Sequence, residues 1–158
     1  MTDTPQDLAG KKILVIEDDA FLRPLLVRKM GGLEERGVKI DSAVDGEDGL
    51  KKTREMHPDL IMLDLLLPKM NGFEFLEKIR GESGLEKTPV MILSNLSDDA
   101  DRERARLLGV SAYLVKADFS IKDISAGLEA FLRGKGLQIA APEALKVEWS
   151  SNNYIVHL

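Results

Sequence analysis

The sequence predicts an α/β domain in which helices cover both faces of a parallel sheet. Two observations carry this prediction: five short runs rich in Ile, Leu, Val and Met recur along the chain, and segments with helical periodicity separate them. The runs do not alternate with polar residues, which is typical of strands buried on both faces. Five βα units in succession indicate right-handed crossovers and a doubly wound sheet.

The predicted strands are short, nearly continuous apolar runs. They are residues 12–17 (KILVIE), 38–44 (VKIDSAV), 59–64 (DLIMLD), 89–94 (PVMILS) and 111–116 (SAYLVK). Four of the five end in a charged or hydroxyl side chain. Since the carboxyl ends of parallel strands meet at one edge of a sheet, we expect these side chains to converge there.

The predicted helices span residues 20–33, 46–55, 72–80, 98–108 and 121–133. Their ends carry start and stop signals. Ser97 is expected to open the fourth helix, and Ser120 begins a variant of the capping box before the fifth. Gly81 is expected to close the third helix in the left-handed conformation. Gly31 and Gly32 weaken the end of the first helix, because each glycine costs roughly 1 kcal/mol relative to alanine.

The composition excludes several classes of protein. With 158 residues, 44% of them hydrophobic and 31% charged, the chain fits one globular domain with a short appendage. The absence of cysteine excludes disulfides, thiolate metal sites and cysteine nucleophiles. No signal peptide and no membrane span is recognisable, so we expect a cytoplasmic protein. A net charge of −5 without a basic stripe argues against direct nucleic-acid binding.

The apolar pattern changes after Gly134. We therefore place a domain at residues 11–133 and a C-terminal extension at residues 134–158, which contains the stretches LKVEW and NYIVHL. The turn-like trio at residues 150–152 predicts a β-hairpin that packs on its own domain. The alternative is a dimer or partner contact, and this segment is expected to be too short for an independent output domain.

The strand ends gather the groups that a phosphoryl transfer needs. Crowded carboxylates stay ionised only if a cation joins them, and oxygen ligands without Cys or His predict Mg²⁺ or Mn²⁺. An oxygen-liganded cation, a lysine and a hydroxyl around one carboxylate suit a phosphoryl group in transit, with that carboxylate as nucleophile. The groups in question are Glu17, Asp18, Asp19, Asp64, Ser94 and Lys116.

The chain resembles the response-regulator receiver family over about residues 11–133. The strings ILVIEDD, PDLIMLDLLLPKMNGFEFL and GVSAYLVKADF are similar to the motifs of that family. Ser94 follows Asp64 by 30 residues and Lys116 follows Ser94 by 22, and both spacings look like those of the family. The resemblance implies a flavodoxin-like (βα)5 fold with strand order 2-1-3-4-5.

The resemblance also implies a metal site. Asp64 would be the phosphoacceptor and would bind Mg²⁺ directly together with Asp18 and the backbone carbonyl of Leu66. Glu17 would bind the ion through water. Asp19, the third acid in the row, is interpreted as a cap of the first helix.

Three further positions match the catalytic and switching residues of the family. Ser94 would be the hydroxyl that follows the phosphoryl group, Lys116 its salt-bridge partner, and Tyr113 the aromatic switch residue. The chain departs from the family at Ala117, where proline after a cis bond is usual, and at Asn95, where a small residue is preferred. Because Asn95 would narrow the path to the phosphoryl group, we expect slow removal of phosphate.

The implied function is that of a stand-alone response regulator in a two-component phosphorelay. Its donor would be a phosphohistidine on a sensor histidine kinase or a histidine phosphotransfer protein, and phosphorylation would switch a surface that binds an unknown downstream protein. We expect no enzymatic activity beyond its own phosphotransfer and dephosphorylation, and no membrane partner. A homodimer would use the face formed by the fourth helix, fifth strand and fifth helix, or the C-terminal extension.

Two alternatives to this function stay open. One is a receiver-like interaction scaffold that is no longer phosphorylated. The other is an aspartate-nucleophile phosphatase, although that family has a second acid two residues after its nucleophile, where this chain has Leu66.

Overall fold

The structure is a computed structural model that describes residues 8–96, 98–118, 121–134, 146–150 and 153–157, the last two ranges as backbone only. The strands are β1 (Lys12–Ile16), β2 (Lys39–Ala43), β3 (Leu60–Leu63), β4 (Val90–Ser94), β5 (Ala112–Val115), β6 (Lys146–Ser150) and β7 (Asn153–His157). The helices are α1 (Leu22–Lys29), α2 (Gly31–Glu35), α3 (Gly46–Met56), α4 (Gly72–Arg80), α5 (Asp99–Leu107) and α6 (Ile121–Leu132). A 3-10 turn, Lys116–Asp118, follows β5.

The described strands form one sheet in the order β2-β1-β3-β4-β5-β7-β6. The first five strands pair in parallel, which confirms the predicted doubly wound fold with order 2-1-3-4-5. Parallel pairing places the carboxyl ends of β1, β3, β4 and β5 at one edge of the sheet. We refer to this edge as the carboxyl edge and to the opposite one as the amino edge.

The last two strands lengthen the sheet beyond β5. β6 and β7 pair with each other in antiparallel fashion, and β7 pairs in parallel with β5 through the partners Ala112–Tyr154 and Tyr113–Ile155. Both lateral sides of β5 are therefore hydrogen-bonded within the chain. The predicted turn includes Ser151 and Asn152, which lie outside the described residues.

Two buried apolar clusters lie on opposite faces of the sheet. Successive residues of β1 divide between them, Leu14 and Ile16 joining one cluster and Ile13 and Val15 the other. Because both faces are covered, nearly every position of β1, β3, β4 and β5 is buried, which explains the hydrophobic runs of these strands, whereas the edge strand β2 is mostly half-buried and contains polar residues. Within the described part of the chain, no helix is both long enough and apolar enough to cross a bilayer.

The first predicted helix is divided in two. α1 ends before Met30, whose ψ of 7° leaves the helical range, and α2 begins at Gly31. The prediction of one helix over residues 20–33 was therefore wrong, because Gly31 and Gly32 stabilise a continuous helix poorly. Pro24 is the third residue of α1, within the first turn, where its missing N–H costs little.

The ends of the later helices differ in their conformation. Gly81 was expected in the left-handed region, but its φ of −93° is right-handed. The first residue after α4 with a left-handed backbone is Gly84, with φ of 88°. The prediction for Gly81 was wrong because its N–H still bonds to carbonyls of α4 and so continues the right-handed turn. Gly109 follows α5 with φ of 73°. The predicted caps Ser97 and Ser120 lie outside the described residues.

Candidate functional site

Three carboxylates meet at the carboxyl edge, where β1 and β3 end side by side. Glu17 and Asp18 follow β1 and Asp64 follows β3, and the register pairs Ile16 with Leu63 directly before them. One oxygen of each carboxylate lies within 4.8 Å of the other two. Two ionised carboxylates at such a distance repel by roughly 3–4 kcal/mol at an effective dielectric constant near 20. The cluster therefore requires positive charge.

Lys116 supplies part of that charge. Its Nζ donates hydrogen bonds to Glu17 Oε1 at 2.5 Å and to Asp64 Oδ2 at 2.9 Å. It reaches them from the 3-10 turn after β5, across the end of β4. The peptide bond between Lys116 and Ala117 is trans, and Lys116 reaches Asp64 with this backbone conformation.

The ionisation of Glu17 reflects this crowding. Burial, together with the hydrogen bond to Asp64, raises the pKa of Glu17 to about 7, although Lys116 acts in the opposite direction. Burial alone would lower the pKa of Lys116, but its hydrogen bonds to Glu17 and Asp64 leave that pKa raised. Near neutral pH the site without a metal therefore retains a proton on Glu17 in part of the molecules.

The donor set fits a small divalent cation. Glu17, Asp18 and Asp64 offer hard oxygen ligands, two from buried side chains and one, Asp18, from an exposed side chain that leaves the site open to solvent. With all three carboxylates ionised and Lys116 protonated, two negative charges remain unbalanced. Mg²⁺ carries the matching charge and commonly binds through one or two carboxylates and several waters.

The loop after Asp64 holds that carboxylate from the backbone side. The N–H of Leu66 donates to Asp64 Oδ1 at 3.1 Å, while the Leu66 side chain is 54% exposed. The neighbouring side chains of Leu65 and Leu67 are buried and anchor the loop. At the far end, a Cβ on Gly72 would lie 2.6 Å from the carbonyl oxygen of Asp64, so this close approach requires glycine.

Asp19 is turned toward the helix rather than toward the carboxylate cluster. Its Oδ1 accepts hydrogen bonds from the N–H groups of Phe21 at 2.8 Å and Leu22 at 2.9 Å, which is the geometry of a helix cap and agrees with the interpretation from sequence. These two bonds lower the pKa of Asp19. Asp19 therefore stabilises the start of α1 directly beside the metal candidates.

Arg23 is a neighbour of the site that the sequence did not single out. Its guanidinium donates to the carbonyl oxygen of Glu17 at 3.0 Å and so ties α1 to the end of β1. Nothing in the local sequence distinguishes this arginine from a solvated one, because the contact depends on where the loop between β1 and α1 folds.

Ser94 ends β4 and Tyr113 lies on β5, the two strands that come after β3 in the sheet. Ser94 is fully buried at the end of β4, and its Oγ accepts a long bond of 3.4 Å from the N–H of Leu96. Tyr113 on β5 is also fully buried, and its hydroxyl donates to the carbonyl oxygen of Leu96 at 2.6 Å. Burial raises the pKa of Tyr113, which keeps this hydroxyl protonated as a donor. Both residues thus converge on Leu96.

The structure brings the predicted site residues together to different degrees. Glu17, Asp18, Asp64 and Lys116 form one cluster. Among the described contacts, no hydrogen bond joins Ser94 to this cluster, although β4 lies between β3 and β5.

Comparison with known proteins gives one consistent family. A family model described as the response regulator receiver domain matches residues 13–143. The chain is 37% identical over 123 residues to the probable transcriptional regulator ycf27 of Porphyridium aerugineum, covering 78% of this chain and 48% of that protein. It is 35% identical over 135 residues to the alkaline phosphatase synthesis transcriptional regulatory protein PhoP of Bacillus subtilis (strain 168), covering 85% and 53%. The chain thus spans about half the length of these curated relatives.

Solved structures agree with this result. The receiver domain of the Francisella response regulator 1452 matches with a TM-score of 0.68 and 27% identity, over 79% of this chain and 98% of that one. The chemotaxis protein CheY4 of Vibrio cholerae, crystallised at low pH, matches with a TM-score of 0.66 and 26% identity, over 79% and 98%.

Proposed function

The chain belongs to the response regulator receiver family, and from this premise we propose that it accepts a phosphoryl group on Asp64 from a phosphohistidine donor. The observation that carries the proposal is the contact of Lys116 Nζ with Asp64 Oδ2 at an edge where three carboxylates converge. In the transfer, an oxygen of Asp64 forms a bond to phosphorus while the N–P bond of the donor breaks. The imidazole leaves with the bonding electrons and takes up a proton.

Mg²⁺ is the cofactor that the donor set supports, and Mn²⁺ would suit the same oxygens. We propose that Asp18, Asp64 and the Leu66 carbonyl hold the ion directly and that Glu17 holds it through water. When bound, the ion supplies positive charge that neutralises the oxygens of the phosphoryl group in transit.

The protein's own groups orient the nucleophile before the donor arrives. The Leu66 N–H bonds to one oxygen of Asp64 and Lys116 bonds to the other, so the carboxylate is held from two sides. Such positioning accounts for much of the catalysis of phosphoryl transfer, because the chemistry itself requires little from the protein. Once the phosphoryl group is attached, the Lys116 ammonium group can leave Glu17 and bond to a phosphoryl oxygen.

The conformational change that a downstream protein recognises would begin at Ser94 and Leu96. A phosphoryl group adds roughly 1.5–2 negative charges and three acceptor oxygens, which would draw the Ser94 hydroxyl forward and disturb its bond from the Leu96 N–H. Tyr113 is already buried and bonded to the Leu96 carbonyl. We therefore propose that the switch acts through the segment at Leu96, between β4 and α5, rather than by entry of the tyrosine ring.

The biological setting follows from this chemistry. We propose a sensor histidine kinase or a histidine phosphotransfer protein as donor, a cytoplasmic location, and a downstream protein that reads the surface of α5, β5 and α6. The relatives named above are transcriptional regulators, and this chain spans about half their length. We propose that it supplies the phosphorylation-dependent step through protein contact. If it forms a homodimer, the same surface or the β6–β7 segment would mediate it.

The two alternative functions, a phosphatase and an inactive scaffold, would require different residues at the carboxyl edge. A phosphatase would need a second acid two residues after Asp64, and that position holds the apolar, exposed Leu66. An inactive scaffold would not need Lys116 in contact with Asp64. We therefore propose that the chain is not an enzyme acting on a separate substrate.

The test is incubation with Mg²⁺ and acetyl phosphate, followed by measurement of the intact mass. We expect one added phosphoryl group on the wild type and none on Asp64→Asn, which preserves the shape of the side chain. An unchanged wild-type mass would favour the scaffold, and steady release of product from p-nitrophenyl phosphate would favour the phosphatase.

A further inference from the structure

The loop between Asp64 and α4 lies against the start of α3, at a point where only glycine fits. A Cβ on Gly46 would lie 1.9 Å from the carbonyl oxygen of Met70 and 2.7 Å from its carbonyl carbon. Gly46 is buried and is the first residue of α3. Since these contacts are to backbone atoms, no rotation of a side chain can relieve them, and a larger residue must push the loop away from α3.

An ion pair joins the same two segments beside this contact. Asp45 caps α3 by accepting a hydrogen bond from the Asp48 N–H at 2.8 Å on Oδ1, and its other oxygen lies 3.5 Å from Lys69 Nζ. Asp45 is buried, whereas the Lys69 side chain is 62% exposed. The carboxylate is thus fixed by the helix, and the lysine brings the loop to it.

The loop adopts a constrained shape where it meets α3. Lys69 has φ of 66°, a left-handed conformation that costs roughly 1–2 kcal/mol for a residue other than glycine. The Met70 N–H closes a tight turn onto the Pro68 carbonyl oxygen at 2.7 Å. A conformation of this kind persists only where its surroundings fix it, and here Gly46 and Asp45 provide those surroundings.

We propose that Gly46 and the Asp45–Lys69 pair are positioning residues for phosphoryl transfer. The inference rests on the proposed function, in which the Leu66 carbonyl is a metal ligand and the Leu66 N–H orients Asp64. Leu66 lies four residues before Met70 in a loop whose other end is fixed by Gly72. Displacement of the backbone at Met70 therefore moves Leu66 relative to Asp64. The three positioning residues touch neither the phosphoryl group nor the cation.

The test compares two glycines of the same helix. Gly46→Ala should raise the Mg²⁺ concentration that half-saturates phosphorylation by acetyl phosphate about tenfold, the lower end of the range for residues that orient metal ligands. Gly49→Ala is the matched control, because its Cβ would lie 2.6 Å from Ile16 Cδ1, the far end of a side chain that can move. We expect Gly49→Ala to lower stability but to keep the wild-type half-saturation.

The ion pair provides a second test that does not depend on Gly46→Ala folding. Asp45→Asn keeps an acceptor for the Asp48 N–H and removes the charge, and Lys69→Met removes the other partner. Each should raise the half-saturating Mg²⁺ concentration two- to threefold, the double variant should add little, and Lys69→Arg should restore the wild-type value. Additive effects of the two single changes would contradict the pairing.

The outcomes separate this inference from the proposed function. If the wild type gains no phosphoryl group, the proposed function fails. The positioning role is then measured by the Mg²⁺-induced shift of the Leu66 amide resonance, which Gly46→Ala should reduce and Gly49→Ala should not. If the wild type is phosphorylated and Gly46→Ala matches Gly49→Ala in half-saturation, the positioning role is wrong and the proposed function stands.

Discussion

The two edges of the sheet differ in how far their charges are balanced. At the amino edge, Arg80 donates to the carbonyl oxygens of Leu108 and Thr88, both at 2.7 Å, and Lys12 donates to the Met56 carbonyl at 3.0 Å. These cations are satisfied by neutral backbone groups and join loops together. At the carboxyl edge, Lys116 bonds to Glu17 and Asp64, two of the three clustered carboxylates, and an excess of negative charge remains when all three are ionised. Unbalanced charge, rather than the presence of charged residues, distinguishes the site from the amino edge.

The largest expected effect comes from removing the Lys116 ammonium group at the carboxyl edge. Lys116→Met should slow phosphorylation of Asp64 by on the order of 100- to 1000-fold, the usual loss when one group that stabilises developing charge is deleted. The rate is measured from the intact mass after mixing with acetyl phosphate and saturating Mg²⁺. A loss smaller than threefold would mean that Lys116 only balances charge in the resting state.

Removing the Arg80 guanidinium group at the amino edge should lower the stability of the fold instead. Arg80→Met leaves several loop carbonyls without their donor, so we expect the free energy of unfolding to fall by about 2–3 kcal/mol. Urea unfolding followed by circular dichroism measures this change. The phosphorylation rate of the folded variant should equal that of the wild type, and a large drop in that rate would remove the distinction between the edges.

The pH dependence of Mg²⁺ binding should report the crowding at the carboxyl edge. Because the pKa of Glu17 is raised to about 7 from its ordinary 4.5, the folded domain without metal retains a proton that the unfolded chain releases between these values. That contribution to stability is therefore lost as pH rises through this range, while binding of Mg²⁺, which displaces the proton, becomes stronger.

Titration calorimetry at several pH values measures this effect. The affinity for Mg²⁺ should rise up to about tenfold per pH unit below 7 and level off above it. Glu17→Gln carries no titrating carboxyl group, so its affinity should be nearly constant between pH 6 and 8. A wild-type profile as flat as that of the variant would contradict the raised pKa of Glu17.

The smallest expected effect concerns access to the phosphoryl group. Asn95 is exposed directly after β4. If it narrows the path to the phosphoryl group, as expected from the sequence, Asn95→Ala should shorten the lifetime of the phosphorylated protein by roughly two- to fivefold, equivalent to about 0.4–1 kcal/mol in the barrier. Decay of the added mass after removal of the donor measures it. Leu107→Ala, an exposed apolar residue near the amino edge, is the control. Equal lifetimes for wild type and Asn95→Ala would refute the role of Asn95.

The sequence was sufficient for the five parallel strands and for the acids that follow β1 and β3, because both depend on local patterns. The predicted runs end within one residue of the observed strands. The helix α4 has the predicted bounds, residues 72–80, and the Asn71 side chain caps its start. The division of the first helix at Met30 was harder to predict, since Gly31 and Gly32 weaken a helix without specifying a break.

Contacts between distant segments could not be predicted in this way. The spacing of Lys116 gives its strand end but not that one ammonium group bridges Glu17 and Asp64. The close approach of Gly46 to Met70 and the pairing of β5 with β7 likewise join segments far apart in the chain. Such contacts depend on how whole elements pack, which periodicity and capping signals do not encode.

We propose that the excess of negative charge at the carboxyl edge serves phosphoryl transfer to Asp64. It is tested most directly by incubation with acetyl phosphate and Mg²⁺, reduction of the acyl phosphate with borohydride to leave a permanent mark, and tryptic peptide mapping. We expect the mark on Asp64, in the peptide of residues 55–69, and no mark when Mg²⁺ is chelated. A mark on another peptide, or one that persists in Asp64→Asn, would contradict it.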